Sequence, residues 1–281
     1  MKEAYVEVNI PVPEVWQEPL VAVLATSGFE GFEQHEEGVR AYCAENTFDE
    51  EELADTLRFL PEGSGSFSVR RLAPQNWNRY WEQHYPAVFV DDYCQIVPSF
   101  LAPEPGYEVT LHIEPKMSFG TGHHETTRLM IRQMRGMDLA GKSVLDMGTG
   151  TGVLAILATK LGAHPVLGVD IDEWSVENAP ENCHVNGFDF IEILQGDEQV
   201  LGDRLFDVIL ANINRKVLKN TIPTYVNHLS EPGILVISGI YEHDLPVLHP
   251  IWEQAGLSMT NKLIENSWVS LSLTFKSNTD T

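Results

Sequence analysis

Three glycines spaced two apart, Gly148, Gly150 and Gly152, follow the run Val144-Leu145-Asp146-Met147 and open onto the apolar stretch from Val153. A strand that ends in glycines and turns straight into a helix lets the backbone approach a nucleotide-like ligand closely, because glycine reaches left-handed conformations without a Cβ clash. The dinucleotide fingerprint places its third glycine one position later and presents N–H groups to a pyrophosphate. Asp146 argues against that ligand. A carboxylate beside a pyrophosphate is repelled, whereas S-adenosyl-L-methionine carries no phosphate but a cationic amino group and a sulfonium. Asp146, Gly148, Gly150 and Gly152 are therefore read as part of a methyl-donor site.

Three further positions fit a nucleoside ligand at the carboxyl edge of a sheet. Asp170 ends the next strand about 20 residues beyond the turn, where an acid accepts hydrogen bonds from ribose hydroxyls. Asp172, two residues on, is read as a helix cap. Gly196-Asp197 follows the third strand, where Asp197 meets an adenine edge or serves only as a turn residue. Asn212 ends the fourth strand and offers one acceptor and two donors without net charge, suited to the methionine part of the donor or to a substrate amine. Methyl transfer from a sulfonium to an amine needs alignment and desolvation rather than a nucleophilic side chain. Asn212 is thus the candidate reaction-centre residue, as a positioning group.

The elements that must carry these residues follow from periodicity. From Gly141 onward strands alternate with helices: strands at 143–147, 165–170, 191–195, 206–211 and 233–238, with helices at 153–161, 173–186, 217–229 and around 247–255. Such alternation implies a mostly parallel sheet covered on both faces. The segments 257–264 and 268–275 read as a closing antiparallel pair. Upstream, 3–10, 29–34, 39–44 and 67–72 read as strands and 13–26 and 51–60 as helices, an order matching a small α+β ferredoxin-like module. Gly63-Ser64-Gly65-Ser66 breaks the chain before the last of these strands. The expected division is residues 1–72 as the N-terminal domain, 73–98 as an approach segment with Trp77, Tyr80, Trp81 and Tyr85 at helical spacing, and 99–281 as the catalytic domain.

Net charge is −23, which disfavours nonspecific attraction to a polyphosphate backbone. Residues 1–62 hold fifteen acids against Lys2, Arg40 and Arg58, either for solubility or to meet a basic macromolecule. Arg128, Arg132 and Arg135 would share one helix face, read as a nucleic-acid contact or as a solvated face balancing local acids. Cys43, Cys94 and Cys183 fit neither a disulfide framework nor a zinc site. The adjacent His123 and His124 lack companion ligands, so no metal is expected. With no membrane-length apolar run and no secretory leader, a cytoplasmic protein is expected.

Four stretches together resemble the PrmA family, methyltransferases of large-subunit ribosomal protein eleven. They are Glu114 to Thr127 with its Phe119-Gly120-Thr121-Gly122 core, Leu145 to Gly152, Gly168 to Asp172, and Asp207 to Asn214. The resemblance extends over nearly the whole chain. It implies a Rossmann-like, S-adenosylmethionine-dependent catalytic domain with a mostly parallel seven-stranded sheet, and an N-terminal domain that recognises the ribosomal protein. It also implies a donor held through Thr127, Gly148, Asp170 and Asn212, and methylation of lysine side chains and the N-terminal amine. Phe119 and Gly120 belong to a glycine-rich segment able to close over the donor, and Thr127 supplies a hydroxyl at a helix start. The chain departs from the family pattern at His123-His124-Glu125, usually Thr-His-Pro, and at Asn214 in Asn212-Ile213-Asn214, usually Asn-Ile-Leu. The rival readings are a ribosomal RNA or other nucleic-acid methyltransferase, and a non-catalytic donor-binding ribosome-assembly module. A monomer without strong direct nucleic-acid binding is expected.

Overall fold

Alternating apolar and polar side chains make Tyr5–Pro11 a strand with one buried face, and Val6, Val8 and Ile10 on it are fully buried. This is β1 in a computed structural model that describes residues 5–35, 37–60, 66–72, 86–114 and 120–276. The Trp77 to Tyr85 stretch, Phe119 and residues 63–65 lie outside the described residues. The chain divides into two units, Met1–Tyr85 and Pro86–Thr281. The smaller unit has the order β1, α1 (Glu14–Thr26), β2 (Gly31–His35), β3 (Gly38–Ala44), α2 (Glu50–Thr56) and β4 (Ser68–Leu72). Its strands lie in the order β2-β3-β1-β4 with every neighbour antiparallel, over a core that includes Leu20, Leu24, Val39, Ala41 and Leu53. The cap of α2 is Asp49, whose carboxylate accepts from the N–H groups of Glu51 and Glu52 at 2.8 and 3.0 Å.

The larger unit begins with a sheet the periodicity did not reveal: β5 (Val88–Val90), β6 (Cys94–Val97) and β7 (Val109–His112). Residues 86–98, expected in an approach segment, thus belong to the larger unit. The buried Gln95 fastens the proline-rich crossover from β6 to β7, donating to the Glu104 carbonyl at 2.7 Å and accepting from its N–H at 2.8 Å. Next comes α3 (Glu125–Arg135), and then the main alternation. This runs β8 (Val144–Met147), α4 (Val153–Lys160), β9 (Val166–Asp170), α5 (Glu173–Val185), β10 (Glu192–Gln195), β11 (Phe206–Asn212), α6 (Arg215–Asn227), β12 (Leu229–Tyr241), α7 (Leu245–Gln254), β13 (Leu257–Glu265) and β14 (Trp268–Phe275). Seven strands lie in the order β10-β9-β8-β11-β12-β14-β13, parallel through β12, with β14 antiparallel to both neighbours. The central strands are buried on both faces, as a parallel sheet under two helical layers requires.

Among the described residues no helix is long and apolar enough to cross a membrane. All three cysteines are buried free thiols. Ile209, fully buried in the middle of β11, tests the core directly. Ile209→Ala is expected to cost about 2–5 kcal/mol of unfolding free energy. The denaturant midpoint at unchanged slope reads this out, and a change below about 1 kcal/mol would remove β11 from the core.

Candidate functional site

The carboxyl ends of β8, β9, β10 and β11 converge on the glycine turn. Gly148, Gly150 and Gly152 have φ of 77°, 55° and 81°, the left-handed region that explains their residue type. The N–H groups of Gly148 and Thr149 donate to the Val169 carbonyl at 2.8 and 3.0 Å, tying the turn to β9. A Cβ at Gly148 would lie 2.5 Å from Ile213 Cγ2, so the turn also fits closely against the segment after β11.

Asp146 lies beneath this turn, 1% exposed. One carboxylate oxygen accepts from Thr149 Oγ1 at 2.7 Å and from the Ala155 N–H at 3.1 Å. The other has no hydrogen-bond partner among the described residues. Burial raises its pKa to about 7. Asp170 grips the same turn from the next strand: Oδ2 accepts from the Gly150 N–H at 2.8 Å and Oδ1 from the Asp172 N–H at 3.0 Å. Each oxygen retains lone pairs for a ligand. Asp172 caps α5 through the Ser175 N–H at 3.0 Å. Asp197 caps the short 3₁₀ turn at Glu198–Leu201 by accepting from the Gln199 N–H at 2.9 Å, so its turn role is realised while it also borders the cleft.

A cleft of about 260 Å³ opens above these residues, with Gly148, Gly150, Asp170, Asp197 and Asn212 on its wall. Gly152 lies apart from that wall and serves close helix packing, since a Cβ there would come within 3.3 Å of the Ala179 Cβ on α5. A larger cavity of about 490 Å³ sits at the opposite edge of the sheet, near Lys142, Asp207 and Pro232. Asp207 is occupied there by the Ser143 N–H and hydroxyl, a brace at the start of the strands. Asn212 meets Thr127 in a long 3.5 Å contact from Nδ2 to Oγ1, and its Oδ1 has no partner among the described residues.

The upstream segment reaches the turn through Gly120, whose carbonyl accepts from Thr151 Oγ1 at 2.7 Å. Two asparagines one turn apart, Asn182 on α5 and Asn186 at its end, complete the anchoring. Asn182 donates to the Thr151 carbonyl and accepts from the Glu114 N–H, both at 2.8 Å. Asn186 exchanges hydrogen bonds with both backbone groups of His112 on β7. Sequence reading passes over Thr151, Asn182 and Asn186; polar asparagines at i and i+4 along a packed helix are their signal.

The departures His123-His124-Glu125 also acquire roles. His124 caps α3 by accepting from the Thr126 N–H at 3.2 Å, and Glu125 accepts from Asn266 at 3.1 Å. His123 stands beside Thr121 Oγ1 at 3.1 Å, and burial lowers its pKa. Asn214 caps α6 through the Val217 N–H at 3.2 Å. Arg128, Arg132 and Arg135 are not a free cationic face: they pair with Glu265, with Asp91 and Glu265, and with Asp92 respectively. Among the described residues no group of three or more metal-ligating side chains is present.

Residues 14–276 match the family model described as ribosomal protein L11 methyltransferase (PrmA). The chain belongs to the ribosomal protein L11 methyltransferase family. It is 38% identical to the Bacteroides fragilis ribosomal protein L11 methyltransferase over 265 residues, covering 93% of this chain and 95% of the relative. It is 40% identical to the Porphyromonas gingivalis protein of the same name over 259 residues, covering 91% and 89%. The crystal structure of ribosomal protein L11 methylase from Lactobacillus delbrueckii subsp. bulgaricus superimposes with a TM-score of 0.65 at 31% identity, covering 69% of this chain and all of that one. The fold is thus the Rossmann-like S-adenosylmethionine-dependent methyltransferase fold with a small N-terminal domain, and S-adenosyl-L-methionine is the methyl donor of this family member.

On the cleft wall the orphaned Oδ1 of Asn212 and the side-chain-free cradle at Gly148 fit such a ligand, while Asp146, buried beneath the turn, and Thr127 lie off that wall. Asp170→Ala is expected to weaken S-adenosylhomocysteine binding about tenfold or more, because a charged acceptor and the brace on Gly150 are lost together. The far-ultraviolet spectrum should stay unchanged. Unaltered affinity by calorimetry would remove Asp170 from the site.

Proposed function

We propose that this methyltransferase modifies amines of ribosomal protein L11, the lysine side chains and the N-terminal amine, using Asn212 to orient the acceptor. The observation that carries the reading is Asn212 itself, a neutral side chain at the carboxyl end of β11 with a buried Oδ1 that lacks a partner among the described residues. An amine nitrogen would donate to such an oxygen, and that hydrogen bond would orient its lone pair for attack.

Bound in the cleft, the donor supplies an electrophilic methyl on its sulfonium. Asp170 and Asp197 would hold its ribose and adenine, and Gly148 and Gly150 would let the backbone come close. Asp146 attracts its cationic groups from beneath the turn, and Gly152 lets α4 start there. Gly120, which accepts from Thr151, and Thr127, which faces Asn212, would border the side facing the acceptor. A lysine ammonium, with an ordinary pKa near about 10.4, must lose a proton first, and surroundings as dry as Thr126 and Thr127, each 1% exposed, disfavour the charged form. The acidic residues of 1–72 serve as the recognition surface for a basic protein substrate. The paired arginines of α3 weaken the RNA reading.

Incubation with labelled S-adenosylmethionine should place label in purified L11 and leave large-subunit ribosomal RNA unlabelled. Mass mapping should locate it on lysine Nζ and the N-terminal nitrogen. Label confined to RNA, or no label in either, would overturn the assignment.

A further inference from the structure

The turn joining β13 to β14 stands on the same edge of the sheet as Asn212, and charge holds it in place. Asn266 and Ser267 at its tip have φ of 48° and 69° and form a two-residue loop between the paired Glu265 and Trp268, a geometry whose twist suits a tight hairpin. Glu265, directly before the tip, receives Arg128 on one carboxylate oxygen and Arg132 on the other. Arg132 also forks onto Asp91 with N–O distances of 2.9 to 3.1 Å, while Arg128 donates to the His123 carbonyl. These groups are partly withdrawn from water, with side-chain exposures of 19%, 28% and 22% for Arg128, Arg132 and Glu265, so screening weakens them less than a surface pair. Burial would push the Glu265 carboxyl up, yet the two guanidinium groups outweigh it and hold its pKa below the ordinary value.

Trp268 follows the tip immediately. Its ring stacks on Tyr241 at 3.8 Å and meets His124 edge-on at 4.7 Å. His124 caps α3, its carbonyl accepts the Thr127 N–H at 3.2 Å, and Thr127 Oγ1 faces Asn212. A continuous path of side-chain and backbone contacts therefore runs from Glu265 through Trp268, His124 and Thr127 to Asn212. Asn212 is the one member of that path on the donor cleft.

We propose that Glu265 is a positioning residue for methyl transfer: by clamping the β13–β14 turn to Arg128 and Arg132 it fixes Trp268 against the His124 cap and so sets the acceptor side of Asn212. The inference rests on the reading that Asn212 orients the acceptor amine. Only a carboxylate serves both arginines, since an amide in its place turns an N–H toward one of them. Aspartate keeps the charge but withdraws it by one methylene.

Glu265→Gln and Glu265→Asp in the full-length protein test this. Misplacement of a reacting group by up to about 1 Å costs roughly ten- to a hundredfold in rate. Glu265→Gln should accordingly lose about that much turnover on L11, while S-adenosylhomocysteine affinity stays within about twofold of wild type. Glu265→Asp should recover part of the loss. In the donor-free protein, the His124 ring protons should lose the ring-current shift imposed by Trp268 in the amide variant. Donor affinity falling in parallel with turnover would overturn the proposal, as would unchanged turnover in the amide variant. If wild-type protein methylates no L11, the functional reading fails, and unchanged His124 resonances in Glu265→Gln would then separately refute the clamp.

Discussion

The glycine turn at the carboxyl edge of the large sheet is built over a carboxyl group kept out of water with one oxygen lacking a partner among the described residues. Asp146 has one oxygen satisfied by Thr149 and Ala155 and the other without a partner among the described residues, and burial raises its pKa to about 7. A group whose folded pKa is raised contributes stability at low pH that is lost as pH rises, here across about pH 4 to 7 in the donor-free protein. A ligand bringing positive charge to the turn reverses part of that loss by stabilising the carboxylate. On the proposed reading the same residue is a cost to the empty fold and an attraction for a cationic donor, a trade familiar where function sets a residue against stability.

Around that carboxyl the turn is held from three directions. β9 receives its N–H groups on the Val169 carbonyl, Asp170 takes the Gly150 N–H, and Thr151 reaches out to the Gly120 carbonyl of the upstream segment. Asn182 binds both the Thr151 carbonyl and the Glu114 N–H, so α5 references the turn and the upstream strand to one helix. Preorganisation of this kind leaves little reordering to a ligand on binding. Beyond Asn212 and Thr127, the ring of Trp268 from the closing hairpin packs edge-on against His124, the cap of α3.

The parallel alternation was legible because each strand is a short apolar run between helices of clear period, and the glycines marked the turn. The residues read as donor-site candidates end strands at the carboxyl edge, where ligands bind in such sheets, and Gly148, Gly150, Asp170, Asp197 and Asn212 border one cleft there. The β5–β7 sheet escaped because its strands are three or four residues long and its parallel pair is joined by a crossover whose fastening, Gln95 to Glu104, is a single buried side chain. The Arg128, Arg132 and Arg135 stripe stayed open between a nucleic-acid contact and a solvated face because its partners, Glu265, Asp91 and Asp92, are distant in sequence. Two adjacent histidines suggested no ligand set, and one proved to be a helix cap, a role more often filled by Ser, Thr, Asp or Asn. Asp197 showed the opposite difficulty, since one side chain serves the backbone turn and borders the cleft at once.

The most direct test of this account is the titration of the Asp146 carboxyl carbon by nuclear magnetic resonance, with and without S-adenosylhomocysteine. The donor-free protein should titrate near 7, and ligand binding should lower that value. Titration in the ordinary carboxylate range without ligand, or a value that ligand leaves unmoved, would contradict the coupling of this buried charge to the donor site.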